Sequence, residues 1–202
     1  MKLGFTLVEL LICVAIFVVI TSVAVWNNNA FNSSILLTDL AYEVALSVRQ
    51  AQVYGITVKA PSSCTSGGCP SGFSSGYGVD FNTSGTVNMS SSTNYVLFED
   101  VASGGVNSHI YNGIGELVSN FSIGRGYSVK WLCVSGYLSH INDIDISFLR
   151  PEPEAYLSVN GTLDTGAEAD IFVQAPSGGT QREIIVEPTG QISVKIGSAS
   201  CQ

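Results

Sequence analysis

The chain has 202 residues and a formal net charge of −8, since its 16 acidic residues outnumber its 8 basic ones. So few Lys and Arg residues argue against a surface for duplex nucleic acid, which needs clustered positive charge. The charges of Lys2 and Glu9 cancel, so the whole excess of negative charge falls in residues 27–202. These residues are enough for one domain, and their acidity fits a soluble exported domain.

The first predicted element is an apolar segment from Phe5 to Trp26. Its 22 residues would span about 33 Å as an α-helix, enough to cross a bilayer core of about 30 Å. Glu9 is the sole charge within it, and an ionised side chain at membrane depth costs about 2.5–3.5 kcal/mol, so Glu9 needs a partner or a function. The run is too long for a secretory signal peptide, and no small-residue cleavage site follows it. Lys2 precedes the span and the next basic residue is Arg49, which predicts a cytoplasmic leader and an exported remainder.

The segment starts with Gly4-Phe5-Thr6-Leu7-Val8-Glu9. These residues resemble the prepilin-type leader and N-terminal segment of type IV pilins and type II secretion pseudopilins, which place a glycine, an aromatic residue and an acid at set offsets. The resemblance implies that a prepilin peptidase cleaves between Gly4 and Phe5 and that Phe5 is then N-methylated. It also implies that Glu9 pairs with the N-terminal amine of a neighbouring subunit during filament assembly. The implied partners are other pilin or pseudopilin subunits, the peptidase and methyltransferase, and an inner-membrane assembly platform.

A second helical stretch is predicted from Ile35 to Tyr54. Ser34 is its predicted N-cap, and Gly55 is the residue expected to end it. Apolar residues recur along this stretch at spacings of three and four and define a face that packs against a sheet: Leu37, Leu40, Ala41, Val44, Val48 and Ala51.

After this helix the pattern changes to short runs of period two, separated by Gly, Ser, Asn and Pro. A helix followed by many short strands predicts an α+β fold: a long N-terminal helix, half membrane-spanning and half amphipathic, packed on an antiparallel β-rich globular head. The stretches 62–76 and 82–94 are predicted to be exposed loops. The predicted strands are Ile56–Ala60, Tyr77–Phe81, Tyr95–Glu99, Val129–Val134, Asp145–Leu149, Ala155–Val159, Asp170–Gln174, Glu183–Val186 and Ile192–Ile196.

The layout also resembles the GspH/FimT-type minor pilins and pseudopilins, whose N-terminal helix leads into a β-rich head. The matching segments are Val48–Gly55, at the junction of helix and first strand, and Arg182–Val186 with the turn residue Gly190. This resemblance favours a minor or priming subunit. Some FimT-like members are associated with DNA binding through a Gly-Arg-x-Arg turn, but this chain reads Gly190-Gln191-Ile192-Ser193 there, so DNA is not an expected partner.

The cysteines suggest an oxidising compartment for the head. Four of the five fall after the apolar segment and are disulfide candidates, whereas Cys13 lies within that segment and is predicted to be a small apolar residue. Four cysteines allow three pairings, among which we prefer a short loop closed by Cys64 and Cys69 together with a bond from Cys133 to Cys201.

Metal and catalytic sites find little support. A zinc site would use the same cysteines, but no second closely spaced pair occurs, and the two histidines, His109 and His140, stand alone in the sequence. His140 precedes Asp143 and Asp145, yet an isolated histidine near acids is more often a surface or turn residue than a catalyst. No nucleophile elbow or phosphate-binding loop is present. We therefore expect no enzyme activity, no cofactor and no metal.

Glu152 and Glu154 flank Pro153 in a segment that its prolines hold extended. Paired carboxylates there could bind calcium, as some pseudopilins do. A charged edge or loop is the favoured interpretation.

Together these features predict three parts: a leader at 1–4, a transmembrane assembly helix at 5–26, and a periplasmic or extracellular head at 27–202. Within the head, an amphipathic helix occupies 27–55 and the β-rich part 56–202. The predicted function is that of a non-enzymatic subunit of a type IV pilus or type II secretion pseudopilus, held in the inner membrane before assembly. The alternatives are a major pilin, a FimT-like DNA-uptake pilin, or a membrane-anchored extracellular binding module that never assembles.

Overall fold

The computed structural model has a long helix and two antiparallel sheets. The chain divides into two compact units, Met1–Leu36 and Leu37–Gln202. Residues 26–32 and 114 are described by their backbone alone, and the structure describes residues 4–57, 59, 75–85, 89–101, 107–176, 178–197 and 201.

The helix α1 runs from Leu7 to Ile56. The predicted helix start after Ser34 is therefore wrong, because the helical backbone continues through the polar residues at 27–34. Asn and Ser each cost less than about 0.7 kcal/mol in a helix relative to Ala, which is too little to break it. Gly55 does not end the helix either. A Cβ there would overlap the carbonyl oxygen of Phe148, so its glycine allows close packing.

The C-terminal part of α1 buries the predicted apolar face. Leu40 is only partly buried, but the remaining members are completely buried: Leu37, Ala41, Val44, Val48 and Ala51. Each fully buried Leu or Val side chain contributes about 1.5–3 kcal/mol, so this face holds the helix to the core. At its edges the Ser47 hydroxyl lies 3.0 Å from the hydroxyl of Tyr95, and the Tyr54 ring meets Tyr77 edge-on.

The described strands form two sheets whose neighbours are all antiparallel, which confirms the α+β class. One sheet has six strands in the order β3-β2-β1-β5-β6-β7, and the other has four in the order β10-β9-β8-β4. A short 3₁₀ turn at Ile114–Glu116 precedes β3. The strands are β1 Gly76–Asn82, β2 Asn94–Asp100, β3 Leu117–Ser122, β4 Ser128–Val134, β5 Asp143–Phe148, β6 Ala155–Val159, β7 Thr162–Thr165, β8 Ala169–Gln174, β9 Gln181–Val186 and β10 Ile192–Ile196.

Most predicted strands coincide with observed ones, but Ile56–Ala60 does not. Ile56 is the last helical residue and Thr57 is in a turn, while residues 58 and 60 lie outside the described residues. The strands β3 and β7 were not predicted. Both are edge strands of the six-stranded sheet with partly exposed side chains, so they lack the apolar runs that mark buried strands. The Asn160-Gly161 turn before β7 was a usable signal, since both residues have positive φ, as a tight hairpin requires.

The predicted exposed loops are only partly correct. Residues 62–74 lie outside the described residues, whereas Ser75 and Gly76 are buried. Ser90 is completely buried, and its hydroxyl donates to the carbonyl oxygen of Asp80 at 3.2 Å. This contact helps to cover one face of β1, whose residues are buried throughout.

The last hairpin is tied to α1 by one buried side chain. The Gln52 amide donates from Nε2 to the carbonyl oxygen of Pro153 at 2.8 Å and to that of Gly190 at 2.9 Å. Gly190 has φ of 80°, and a Cβ there would overlap the Pro153 carbonyl oxygen, so only glycine fits this turn. The predicted turn glycine therefore lies at a helix contact.

Candidate functional site

The N-terminal segment begins with a closed hydrogen-bond arrangement. The Thr6 hydroxyl donates to Glu9 Oε2 at 2.8 Å, the Thr6 backbone N–H donates to the same oxygen at 3.0 Å, and the Glu9 N–H donates to Thr6 Oγ1 at 3.3 Å. Since α1 starts at Leu7, Thr6 is the N-cap and Glu9 the third helical residue, which makes a capping box. The Thr-x-x-Glu spacing was visible in the sequence, and its capping role was missed.

Within the part of the chain that the structure describes, no packing contact explains the glycine at position 4. A Cβ built on Gly4 would meet no atom within 4 Å, and the residue is exposed. The Phe5 side chain is 81% exposed. It lies at an open apolar hollow with Leu10, Cys13, Val14 and Phe17, which recur along one side of the helix. Both positions are therefore open to contact with another molecule.

The helix that follows has the properties of a membrane span. Among the described residues, Leu7–Val25 is a 19-residue stretch long and apolar enough to cross a bilayer, and none of it is buried by the rest of the chain. The hydroxyls of Thr21 and Ser22 donate to backbone carbonyls of the preceding turn, at 2.9 Å to Phe17 and 2.8 Å to Val19. A helix in lipid needs such internal hydrogen bonds, because no water is available there to bind its polar groups.

Comparisons with known proteins concern this same segment. Residues 1–25 match the family model described as the prokaryotic N-terminal methylation motif. The match supports a type IV pilin-like protein with a transmembrane helix, and it covers Gly4, Phe5 and Glu9. No curated protein and no solved structure matches the chain.

In the head, the structure separates the residues that suggested an acid–base pair. Asp145 is 2% exposed, and its Oδ1 accepts a hydrogen bond from the Tyr111 N–H at 3.0 Å. Burial, with a smaller contribution from the nearby Asp80 carboxylate, raises the pKa of Asp145 to about 9. Asp143 accepts from the Asn82 amide at 2.8 Å, whereas the His140 ring stacks on Trp131 with centroids 4.0 Å apart. These contacts are structural.

His109 lies beside a serine and an acid, but their arrangement is not that of a catalytic triad. The Ser147 hydroxyl is 2.9 Å from His109 Nδ1, and Asp100 Oδ2 is 3.8 Å from the same nitrogen. A triad places the serine and the acid on opposite ring nitrogens. Ser147 is also completely buried. Burial lowers the pKa of His109 despite the opposing effect of Asp100, so the ring is neutral at pH 7 and the contact is no ion pair.

The carboxylate of Asp100 fixes the segment that carries His109. It accepts hydrogen bonds from the Ser108 N–H and hydroxyl, both at 3.0 Å, and from the His109 N–H at 2.9 Å. His109 has φ of 58°, a conformation that such anchoring helps to hold. Asp100, Ser108 and His109 therefore have a structural role, in which the Asp100 carboxylate anchors the loop.

The two units differ in the bonding state of their described cysteines. Cys133 and Cys201 form a disulfide with Cα atoms 5.5 Å apart. Cys13 is free and exposed on the apolar helix. Cys64 and Cys69, and the bond predicted between them, lie outside the described residues.

The expectation that His140 stands alone is wrong in three dimensions. Its ring nitrogen and the sulfur atoms of Cys133 and Cys201 all lie within 4.8 Å of one another, the one such group of possible metal ligands found among the described residues. Glu152 and Glu154 are exposed and do not belong to this group. A charged edge or loop stays the favoured prediction for those two carboxylates, with calcium binding as the alternative.

Proposed function

We propose that the chain is a non-enzymatic filament subunit of a type IV pilus or type II secretion pseudopilus, cut between Gly4 and Phe5 and methylated on Phe5. The observation that carries the proposal is the coincidence of the methylation motif with an apolar helix whose every described side chain is exposed up to Val25. Such a surface, too apolar for water, needs lipid or identical helices around it.

Peptidase processing accounts for Gly4. A Cβ at this position would contact no atom of the described residues, so packing among them does not require glycine. A protease subsite with room for only a hydrogen atom would require it. Cleavage leaves Phe5 with a free amine at the start of the helix. The exposed Phe5 ring is open to an enzyme before assembly and to a neighbouring helix afterwards.

Glu9 is the assembly residue in this proposal. Within one chain its carboxylate has the partners of a capping box, both from Thr6, and these are neutral donors. Neutral donors do not cancel the charge, so bringing many such helices together in lipid carries an electrostatic cost for each copy. The amine created on Phe5 of a neighbour supplies the opposite charge. The pairing therefore favours subunits that are both processed and aligned.

The head, residues 27–202, is proposed to be exported and to face outward from the filament. Its GspH/FimT-like features, the α1 junction and the last hairpin, support a minor or priming role. The junction residue Gln52 contacts the turn residue Gly190, so the two segments that carried the resemblance meet. His109 and Ser147, the side chains closest to a catalytic arrangement among the described residues, have a structural role, which supports a non-enzymatic head.

The experiment is to isolate the native protein from membrane and sheared-filament fractions and to determine its N-terminus by mass spectrometry. The proposal expects a chain that starts with N-methylated Phe5, enriched in the filament fraction. A chain that retains Met1–Gly4 and stays in the membrane fraction would support the membrane-anchored binding module instead.

A further inference from the structure

The loop after β4 brings a histidine back to a cysteine of the same strand. Ile141 pairs with Leu132, and its N–H donates to the Leu132 carbonyl oxygen at 2.8 Å. This return places His140 beside Cys133. Cys201, 68 residues further along the chain than Cys133, reaches the same point from the C-terminal tail.

The histidine ring is held at this point and remains open to solvent. It stacks on Trp131 with an interplanar angle of 29°, and Lys130 Nζ lies 5.0 Å from the centroid of the same indole ring. His140 is exposed, whereas Cys133 is 2% exposed and Cys201 is partly buried. Two of the three groups, His140 and Cys201, are therefore at least partly open to solvent.

We propose that Cys133, Cys201 and His140 form a site for a zinc-class divalent cation when the two cysteines are thiols. Two thiolates and an imidazole are ligands that Zn²⁺ prefers, and a water molecule would complete a tetrahedral site. The disulfide and the metal site use the same sulfurs, so they exclude each other. Both fasten the C-terminal tail to β4, the first in an oxidised chain and the second in a reduced chain.

Conversion of the disulfide into two thiols requires an added reductant, either a dithiol or a phosphine. Two electrons and two protons from the reductant and solvent convert the disulfide into two thiols, while a dithiol becomes its own disulfide or a phosphine its oxide. Binding of the cation then displaces both thiol protons to solvent, since the thiolate is the ligand. Zinc–sulfur bonds of about 2.3 Å require the sulfurs to separate, which rotation about the Cα–Cβ bonds allows. This site does not depend on the proposed assembly function.

The test uses the full chain in detergent micelles, purified without a histidine tag, with Cys13, Cys64 and Cys69 replaced by Ser. The protein is reduced with a phosphine, freed of reductant without oxygen, and titrated with Co²⁺ alone. We expect one Co²⁺ per chain, a thiolate-to-cobalt charge-transfer band and tetrahedral visible bands, with displacement by one equivalent of Zn²⁺. The same protein with its disulfide intact should show none of these bands.

The chain offers matched histidine controls, because it contains two histidines. His140→Ala should weaken Co²⁺ binding by at least about tenfold, since even an outer-shell partner of a metal site commonly contributes that much. His109→Asn should leave the affinity unchanged, and Asn tolerates the positive φ at that position. Circular dichroism confirms that each reduced variant is folded. Absence of Co²⁺ binding by the folded, reduced protein, or equal affinity in His140→Ala, would overturn the proposal.

Discussion

Thr6 and Glu9 are joined through a single carboxylate oxygen: the Thr6 hydroxyl and the Thr6 N–H both donate to Glu9 Oε2, at 2.8 and 3.0 Å. This geometry gives Glu9 two separable roles, as a helix cap and as a charge. A variant that removes only the cap and a variant that removes only the charge should therefore behave differently.

We predict that Glu9→Gln abolishes incorporation into filaments, whereas Thr6→Ala retains most of it. Gln keeps an acceptor for the capping bonds but cannot neutralise an amine. The Thr6 change removes a cap whose loss costs about 1 kcal/mol of helix stability and leaves the charge. The measurement is the amount of each variant in sheared filaments relative to the membrane pool. Equal losses in both variants would assign Glu9 to capping alone.

Gly4→Val should block removal of the leader without disturbing the fold. The reason is that a Cβ at position 4 would meet none of the residues that the structure describes, so we expect the effect to arise in the protease subsite. Mass spectrometry of the membrane fraction should show the intact N-terminus for Gly4→Val, and circular dichroism should match the unmodified precursor. A trimmed chain starting with Phe5 would contradict this prediction. Gly115→Val, at another open position, should be processed normally.

Cys201→Ser should destabilise the head by about 2–4 kcal/mol. The disulfide closes a loop of 68 residues, for which the loop-closure model gives about 4 kcal/mol as an upper value. The measurement is urea unfolding in detergent, without added metal. Cys13→Ser is the matched control, since Cys13 is free and exposed on the apolar helix and its change should leave the midpoint in place. Equal midpoints for both variants would show that the bond contributes nothing.

The head should become less stable as the pH rises. Asp80 and Asp145 face each other across β1 and β5, and they are 4% and 2% exposed. Burial, together with smaller contributions from neighbouring carboxylates, raises the pKa of Asp80 to about 8 and that of Asp145 to about 9. Since the unfolded values lie near 3.9, the folded head retains protons that the unfolded chain releases. The unfolding free energy should therefore fall between about pH 4 and pH 9, by at most about 1.4 kcal/mol per pH unit for each group.

Asp145→Asn tests this pH dependence. Asn keeps an acceptor for the Tyr111 N–H and carries no charge, so the variant should be more stable at about pH 8 and show a shallower slope. Asp39→Asn, on an exposed position of α1, should leave the slope unchanged. Urea unfolding from about pH 5 to about pH 8 gives both quantities. An unfolding free energy that rises with pH in the unmodified protein would contradict the prediction.

Gly55→Ala should lower the stability of the fold, because the loss in packing should exceed the gain in helix propensity. Ala is favoured over Gly in a helix by about 1 kcal/mol, but its Cβ would overlap the backbone carbonyl of Phe148, which cannot rotate away. Overpacking of this kind costs about 1–3 kcal/mol, so we expect a lower unfolding midpoint. Gly124→Ala, in open space, should leave the midpoint nearly unchanged. A stabilised Gly55→Ala protein would show that α1 moves easily against β5.

Two edge strands, β3 and β7, show where sequence periodicity fails to predict a strand. Periodicity located the strands whose side chains are buried, because burial selects apolar residues at alternate or successive positions. The edge strands β3 and β7 were missed because their partly exposed side chains show no regular alternation of apolar and polar residues. The edge strand β10 is also exposed, but its apolar residues alternate at Ile192, Val194 and Ile196, so it was predicted. The helix start expected at Ser34 failed for a related reason. Polarity marks where a segment meets water, and it does not break helical hydrogen bonding.

The sequence by itself determined the class of the N-terminal segment, since a glycine, an aromatic residue and an acid before an apolar span form a local pattern. It also determined the α+β layout, through the change from helical to strand periodicity. Only the tertiary structure decided which residues meet across long separations: Gln52 with Gly190, Asp80 with Asp145, and His140 with Cys201 of the tail. Those contacts depend on strand order and register. These arise from packing of the whole head, and no local pattern specifies them.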